Sequence, residues 1–386
     1  MRRWIIFFLI IFIFTPLSIL RADVSVLFLI YNMGEGEPFR KVAEKLTVDY
    51  KIVGIGVGAE QFKDDAHFVY LNSDLYSEAR VNVAPHDKDH NRNRLLKSEI
   101  VQAILDLGPK VVISGMSSAW QAQVLNSLHE RKIPTIAFYD NMNGRLVDQE
   151  YVKPFLAELQ NGAVSTWLIP GEAYKSGFDG NIIVSGNPTL EQWDEAFERS
   201  DARILKRLDL KPGQKLLLFA GGNDTTYPQY LNEMVKAVKR RKDLLLVITP
   251  HPARKDNIEN KIFKKNGHPE NVKIVKDMKT LDIAPFASIF AVHKSGMAAH
   301  ALSHGLPVLF VGPKKDYKSL LVVGKGLGIV AENKKEAQHA INKLLHTSEK
   351  PSLNALGVPE QASQRIAEYL NSFISKKTSE RSHSEK

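Results

Sequence analysis

The sequence predicts an α/β protein of two domains, each built on a mostly parallel sheet, behind an N-terminal signal peptide or anchor. Three observations carry this. Continuous apolar runs of strand length alternate with amphipathic helical patterns, as expected where parallel strands are buried on both faces. The alternation closes near Phe197 and restarts after Lys211-Pro212-Gly213, a strong turn signal. With 386 residues, 44% of them hydrophobic, the chain is long enough to build two cores.

Residues 1–22, MRRWIIFFLIIFIFTPLSILRA, place Arg2 and Arg3 ahead of an apolar run from Trp4 to Leu20 and carry no acid. This reads as a secretory signal peptide ending at Ala22. The run is also about long enough to cross a bilayer, so an uncleaved anchor at residues 4–20 is the alternative reading. Either reading predicts an exported protein, periplasmic, secreted or membrane-anchored.

The first domain, 23–185, opens on the strand VSVLFLIY, followed by the loop NMGEGEP and the helix FRKVAEKL. Further strands are expected at YKIVGIGV, HFVYL, KVVIS, PTIAFY and STWLIP, and NIIVSGNPTLEQWDEAF closes the series. The second domain, 186–355, has strands at KLLLFAG, LLLVITP, VKIV, SIFAVH, PVLFV and LGIVAE. PEQASQRIAEYLNSFI predicts a C-terminal helix within 356–374, placed to return to the first domain. SKKTSERSHSEK (375–386) lacks periodicity and is expected to be disordered.

Lys+Arg of 52 against Asp+Glu of 43 gives a net charge of +9, spread along the chain without a basic run interleaved with aromatics. That argues against a nucleic-acid partner and suits a basic cleft for anionic ligands. Cys is absent, which excludes disulfides, thiolate catalysis and Cys-ligated metal. NVAPHDKDHNRNR gathers His86, Asp87, Asp89 and His90, yet matches no metal-ligand spacing and reads as a polar loop before a helix. No metal and no cofactor are expected.

In open α/β sheets, ligands bind beyond the carboxyl ends of the strands. Three strand-end loops of the second domain carry the relevant chemistry. AGGNDTTYP brings Gly221, Gly222 and the amide of Asn223; TPHPARK brings His251 and Arg254; the corner after SIFAV brings His293, Lys294, Ser295 and Gly296. Alone, that last corner equally describes a capped helix with a solvated lysine. Three such loops on one side of one sheet describe a pyrophosphate pocket of glycines, hydroxyls and cations. In the first domain, Glu35 and Glu37 of the Gly-rich loop and Asp140 of FYDNMNG are candidate general bases. For either Glu taken singly, a plain helix-start acid is the simpler reading.

The order of SGNPTLEQW, FAGGND, ITPHPARK and VHKSGMAAHALSHGLPVLFVG resembles the GT-B superfamily of nucleotide-sugar enzymes. Within it, the chain is similar to the non-hydrolysing UDP-N-acetylglucosamine 2-epimerases and to transferases such as the lipid II-forming N-acetylglucosaminyl transferase. The resemblance covers about Asn181 to Val330. It implies two Rossmann-like domains facing each other across a cleft, an acceptor domain first and a nucleotide-diphosphate domain second. It implies that Gly221, Gly222, His251, Arg254, Ser295 and Gly296 line the diphosphate site, and that Gly186-Asn187-Pro188 starts the linker. Where such families often place an acid after the Ser-Gly turn, this chain has His300 and His304.

Three functions follow as expectations. The first is a glycosyltransferase using a nucleotide-sugar donor and a cell-envelope, glycan or lipid-linked acceptor. The second is a UDP-N-acetylglucosamine 2-epimerase-like enzyme using the same pocket. The third, prompted by the export signal, is a non-enzymatic two-lobe ligand-binding protein.

Overall fold

The computed structural model describes residues 24–384, apart from 32, 55–56, 70–89, 117–118, 143, 146–158, 160–161, 253 and 255. The N-terminal signal or anchor segment lies outside the described residues, as do His86, Asp87 and Asp89. No described helix is long and apolar enough to cross a membrane.

The first sheet contains β1 (Val26–Ile30), β2 (Tyr50–Gly54), β3 (Phe68–Val69), β4 (Val111–Gly115), β5 (Thr135–Phe138), β6 (Thr166–Ile169) and β7 (Asn181–Val184). Their order across the sheet is β3-β2-β1-β4-β5-β6-β7, with every pairing parallel. The second contains β8 (Lys215–Ala220), β9 (Leu244–Thr249), β10 (Val272–Ile274), β11 (Ile289–Val292), β12 (Val308–Val311) and β13 (Gly328–Ala331). Its order is β10-β9-β8-β11-β12-β13, again all parallel. The order reverses between β1 and β4 and between β8 and β11, so each domain has a crevice at its own reversal point.

Burial explains why the strands are apolar throughout. Val26, Phe28 and Ile30 of β1 pack in one core with Phe39, Phe138, Ile366 and Leu370. Leu27 and Leu29, on the opposite face, join a second core with Ile104, Val112 and Leu125. In β8, Leu217 and Phe219 face one layer while Leu216 and Leu218 face the other. The core that holds Leu27 runs on through Tyr174, Leu356 and Trp193 to Leu218 and Phe290, so apolar packing is continuous from one domain to the other.

Two elements differ from expectation. The first helix begins at Met33, not after the Gly-rich stretch, and runs to Ala43 with Pro38 inside it. Pro38 omits one helical hydrogen bond. The turn is held instead by Glu35, which is fully buried and accepts from Tyr31 N–H (2.8 Å) and Gln121 Nε2 (2.9 Å). The C-terminal helix runs from Ala362 to Ser384, through most of the tail expected to be disordered. Lys376, Lys377 and Glu380 are good helix formers, and Ser375 and Thr378 hydroxyls donate to the carbonyls of Asn371 and Ile374. Periodicity in the sequence reports burial, and residues 375–380 of this stretch are helical while mostly exposed.

That helix returns to the first sheet. Ile366, Ala367, Leu370 and Ile374 pack among Phe28 and Phe39, and Asn371 Oδ1 accepts from Thr47 N–H at 3.0 Å. The forward crossing uses Gly186 at φ +83°, where a side chain would strike the Pro359 carbonyl and Ala362.

Candidate functional site

The loops after β8, β9 and β11 meet at the reversal point of the second sheet. Glycine makes this approach achievable. A side chain on Gly221 would meet the Thr249 carbonyl at 2.8 Å and His251 N at 2.9 Å; one on Gly222 would meet Tyr227 and His293 at 2.9 and 3.0 Å. Arg254 braces the same loops, donating to Asp224 O at 3.1 Å, pairing with Asp256 at 2.9 Å and lying 5.2 Å from the Tyr227 ring centroid.

The centre of the cluster is Asp224, which the sequence reading passed over in favour of the exposed Asn223 beside it. One Asp224 oxygen accepts from the Thr226 and Tyr227 amides, both at 2.8 Å, and from the Thr226 hydroxyl at 2.9 Å. His293 Nε2 lies 3.0 Å and Lys294 Nζ 2.9 Å from the carboxylate. Lys294 also pairs with Asp316 at 2.8 Å. Burial opposes the Asp224 charge, but bonds from Lys294, Thr226 and His293 outweigh it and hold the carboxyl well below its usual range. For Lys294, burial likewise works against the charge, and Asp316 and Asp224 more than restore it, raising its pKa.

His293 is therefore a pin, not a free pocket wall. It is 1% exposed, its Nδ1 donates to the Val311 carbonyl at 2.5 Å, and its ring stacks on Tyr230. Lys294 sits at φ +49°, a left-handed conformation costly for a residue with a Cβ. That conformation turns the chain out of β11 into the short helix Met297–Ser303. Ser295 Oγ accepts from Met297 N–H at 3.3 Å. The N–H groups of Ser295 and Gly296 donate to no backbone acceptor among the described residues. The corner thus offers two amides, a hydroxyl and a lysine whose charge two acids already balance.

In the first domain the three candidate bases separate. Glu35 is at the reversal point, across the ends of β1 and β4, but it is a structural clamp. A side chain on Gly115 would overlap its carboxylate. Its bonds to Tyr31 and Gln121 and its complete burial remove it from the role of an accessible base. Glu37 is partly exposed and faces Arg40 of its own helix at 3.9 Å. Asp140, just beyond β5, differs from both: burial pushes its carboxyl up to about 6, with a bond from its own backbone acting the other way. An acid with that value exchanges a proton near neutral pH.

Asp140 also lies beside the other domain. Its carbonyl accepts from Asn187 Nδ2 of the linker at 2.8 Å. A groove of about 540 Å³ is lined by Arg145, further along the same loop, and by Lys318, Leu321 and Lys325 of the segment after β12. Loops at the carboxyl ends of both sheets therefore border one cleft.

These features define a two-domain α/β protein of paired parallel sheets, with strand-end loops of both sheets at the junction. More particularly, the fold is GT-B-like. The chain is similar to the S. aureus MnaA–UDP co-structure (TM-score 0.65, 14% identity, 91% of this chain and 97% of that one). It is similar to UDP-GlcNAc 2-epimerase from Neisseria meningitidis bound to UDP-GlcNAc (0.64, 15%, 90% and 99%). It is also similar to a UGT transferase from Siraitia grosvenorii in complex with UDP (0.60, 13%, 92% and 99%). At these identities the likeness is one of fold. No family model and no curated protein sequence matches the chain.

Proposed function

We propose that this chain is a GT-B-type nucleotide-sugar enzyme. It holds the diphosphate of its donor at the corners after β8, β9 and β11 and passes the sugar to an acceptor presented by the first domain. The observation that carries this is the corner after β11, where the Ser295 and Gly296 amides, with no backbone acceptor among the described residues, lie at the reversal point beside the glycine-cleared Gly221–Gly222 loop. The Ser295 and Gly296 amides, directed at a departing nucleoside diphosphate, stabilise the charge that develops on it, while Lys294 stays paired with Asp224 and Asp316. Asp140 then takes the proton of the acceptor hydroxyl. The export signal read in residues 1–22 favours a cell-envelope glycan or a lipid-linked acceptor.

A UDP-GlcNAc 2-epimerase-like activity is the second reading. It is favoured by the near-complete coverage, in both directions, of structures carrying that name. In an epimerase, Asp140 would act on the donor sugar itself. Incubation with UDP-GlcNAc in deuterated water, followed by NMR, separates the two. Transfer without exchange at C2 supports the transferase, exchange at C2 supports the epimerase, and neither turnover nor binding across a nucleotide-sugar panel rejects both. That last result, together with stabilisation by a small solute, would favour the exported binding protein.

A further inference from the structure

His300 and His304, on and just after the short helix Met297–Ser303, both turn toward the linker. His304 pairs with Asp194 at 2.9 Å and packs on Phe197. His300 begins a chain of short contacts that crosses between the domains. Its Nε2 lies 2.8 Å from Thr189 Oγ1. Thr189 Oγ1 donates to Asn187 Oδ1 at 2.9 Å, and Asn187 Nδ2 donates to the Asp140 carbonyl at 2.8 Å.

Proton counting fixes the direction of this chain. A threonine hydroxyl has one proton. If Thr189 gives it to Asn187, the imidazole must donate from Nε2. The other tautomer would donate from Nδ1 to the Gly296 carbonyl across 3.3 Å, and would draw the Thr189 proton away from Asn187. Gly296 O already accepts from Ala299 N–H at 3.1 Å, so it does not need the ring. Asn187 Oδ1 likewise accepts from Thr189 N–H at 3.0 Å, so distance is the criterion: the Thr189–Asn187 contact at 2.9 Å is shorter than the Nδ1–Gly296 contact at 3.3 Å and favours the Nε2–H tautomer, with which all three bonds run from the second domain to the first.

We propose that His300 and Thr189 are positioning residues, forming a hydrogen-bonded tie that sets Asp140 against the corner at Ser295–Gly296. The proposal rests on reading that corner as the donor site and Asp140 as the proton-transfer group. Asn187 is 2% exposed, so its bonds form away from water, where they orient strongly and are costly to leave unmade. His300 is carried on the helix that leaves the corner, and Asp140 on the loop that borders the cleft. Burial, with a smaller contribution from His304, holds the His300 pKa down to about 4. The ring is therefore neutral at physiological pH, and the tie depends on its tautomer rather than its charge.

The test uses the full chain with ¹⁵N-labelled histidine, the His300 signals being assigned by their loss in His300→Gln. At pH 7 the ring nitrogens should report a protonated Nε2 and a bare Nδ1. Thr189→Val should abolish that preference and Thr189→Ser should keep it. In turnover of a nucleotide sugar, Thr189→Val should lower kcat by about tenfold with KM within about twofold, and Thr189→Ser should restore kcat. A wild-type ring protonated at Nδ1, or a Thr189→Val enzyme with unchanged kcat, overturns the proposal. Absence of any nucleotide-sugar turnover would count against the enzymatic reading, while the ring spectrum still decides whether the tie exists.

Discussion

At the scale of single residues, the candidate site is a matter of which polar groups are already committed. Burial tunes the Asp140 carboxyl toward neutral pH. A folded-state pKa raised above the unfolded value means that the native protein binds this proton more tightly. Its effect on stability is therefore absent below about pH 4 and becomes unfavourable as pH rises through about 6. Asp140→Asn should raise Tm at pH 7 more than at pH 4, and should cut turnover by about 10²-fold or more with nucleotide affinity unchanged. An equal Tm change at both pH values would contradict the burial argument. Asp224 has the opposite sign: its depressed pKa adds stability that is present above the usual carboxylate range and lost only in strong acid. Asp224→Ala strips two amides, a hydroxyl, His293 and Lys294 of their acceptor, and should cost about 1–3 kcal/mol in urea unfolding at pH 7. Gly115→Ala should be destabilising by a similar amount, about 1–3 kcal/mol, because the new methyl meets the Glu35 carboxylate, which is buried and has no room to retreat.

At the scale of elements, two helices decide how the halves are joined. Helix Leu190–Glu198 buries Trp193 against Phe290, with His300 and His304 flanking the indole, while Glu195 reaches Lys41 of the first domain at 2.5 Å. Trp193→Ala should cost about 3–5 kcal/mol in denaturant unfolding, the loss being one of packing. The C-terminal helix covers the apolar face around Phe28 and Phe39. A chain ending at Lys377 should keep wild-type stability, since Thr378, Ser379 and Glu380 beyond it are exposed. One ending at Gln361 should leave the first domain unfolded or aggregated, as judged by circular dichroism and sedimentation. Full stability in the shorter chain would show that the returning helix is dispensable.

At the scale of the molecule, the two parallel sheets were legible because strands buried on both faces must be apolar along their whole length, as Val26–Ile30 and Leu244–Thr249 are. The convergence of Gly221, Gly222, His251 and Ser295 was legible for a related reason, since strand-end loops of one sheet share one side. What sequence could not reveal was commitment. Nothing in the spelling of Glu35 says that it folds back onto its own strand, or that Lys294 and His293 both spend their bonds on Asp224. An acid preceded by Asn and followed by two Thr, as in Asn223-Asp224-Thr225-Thr226, is a local signal for an oxygen that caps the next helix, and it would have pointed to Asp224. The direction of His300 depended on where the linker returns, a long-range fact. A nucleoside diphosphate seated at the second-domain corner is detected by isothermal titration of the full chain with UDP. Binding should be saturable, one-to-one and lost in Ser295→Asp, a change that can still cap Met297 N–H but places a negative charge where the phosphate would sit. Binding of equal strength in that variant, or no binding of UDP or of any other nucleoside diphosphate by the wild type, would contradict that seating.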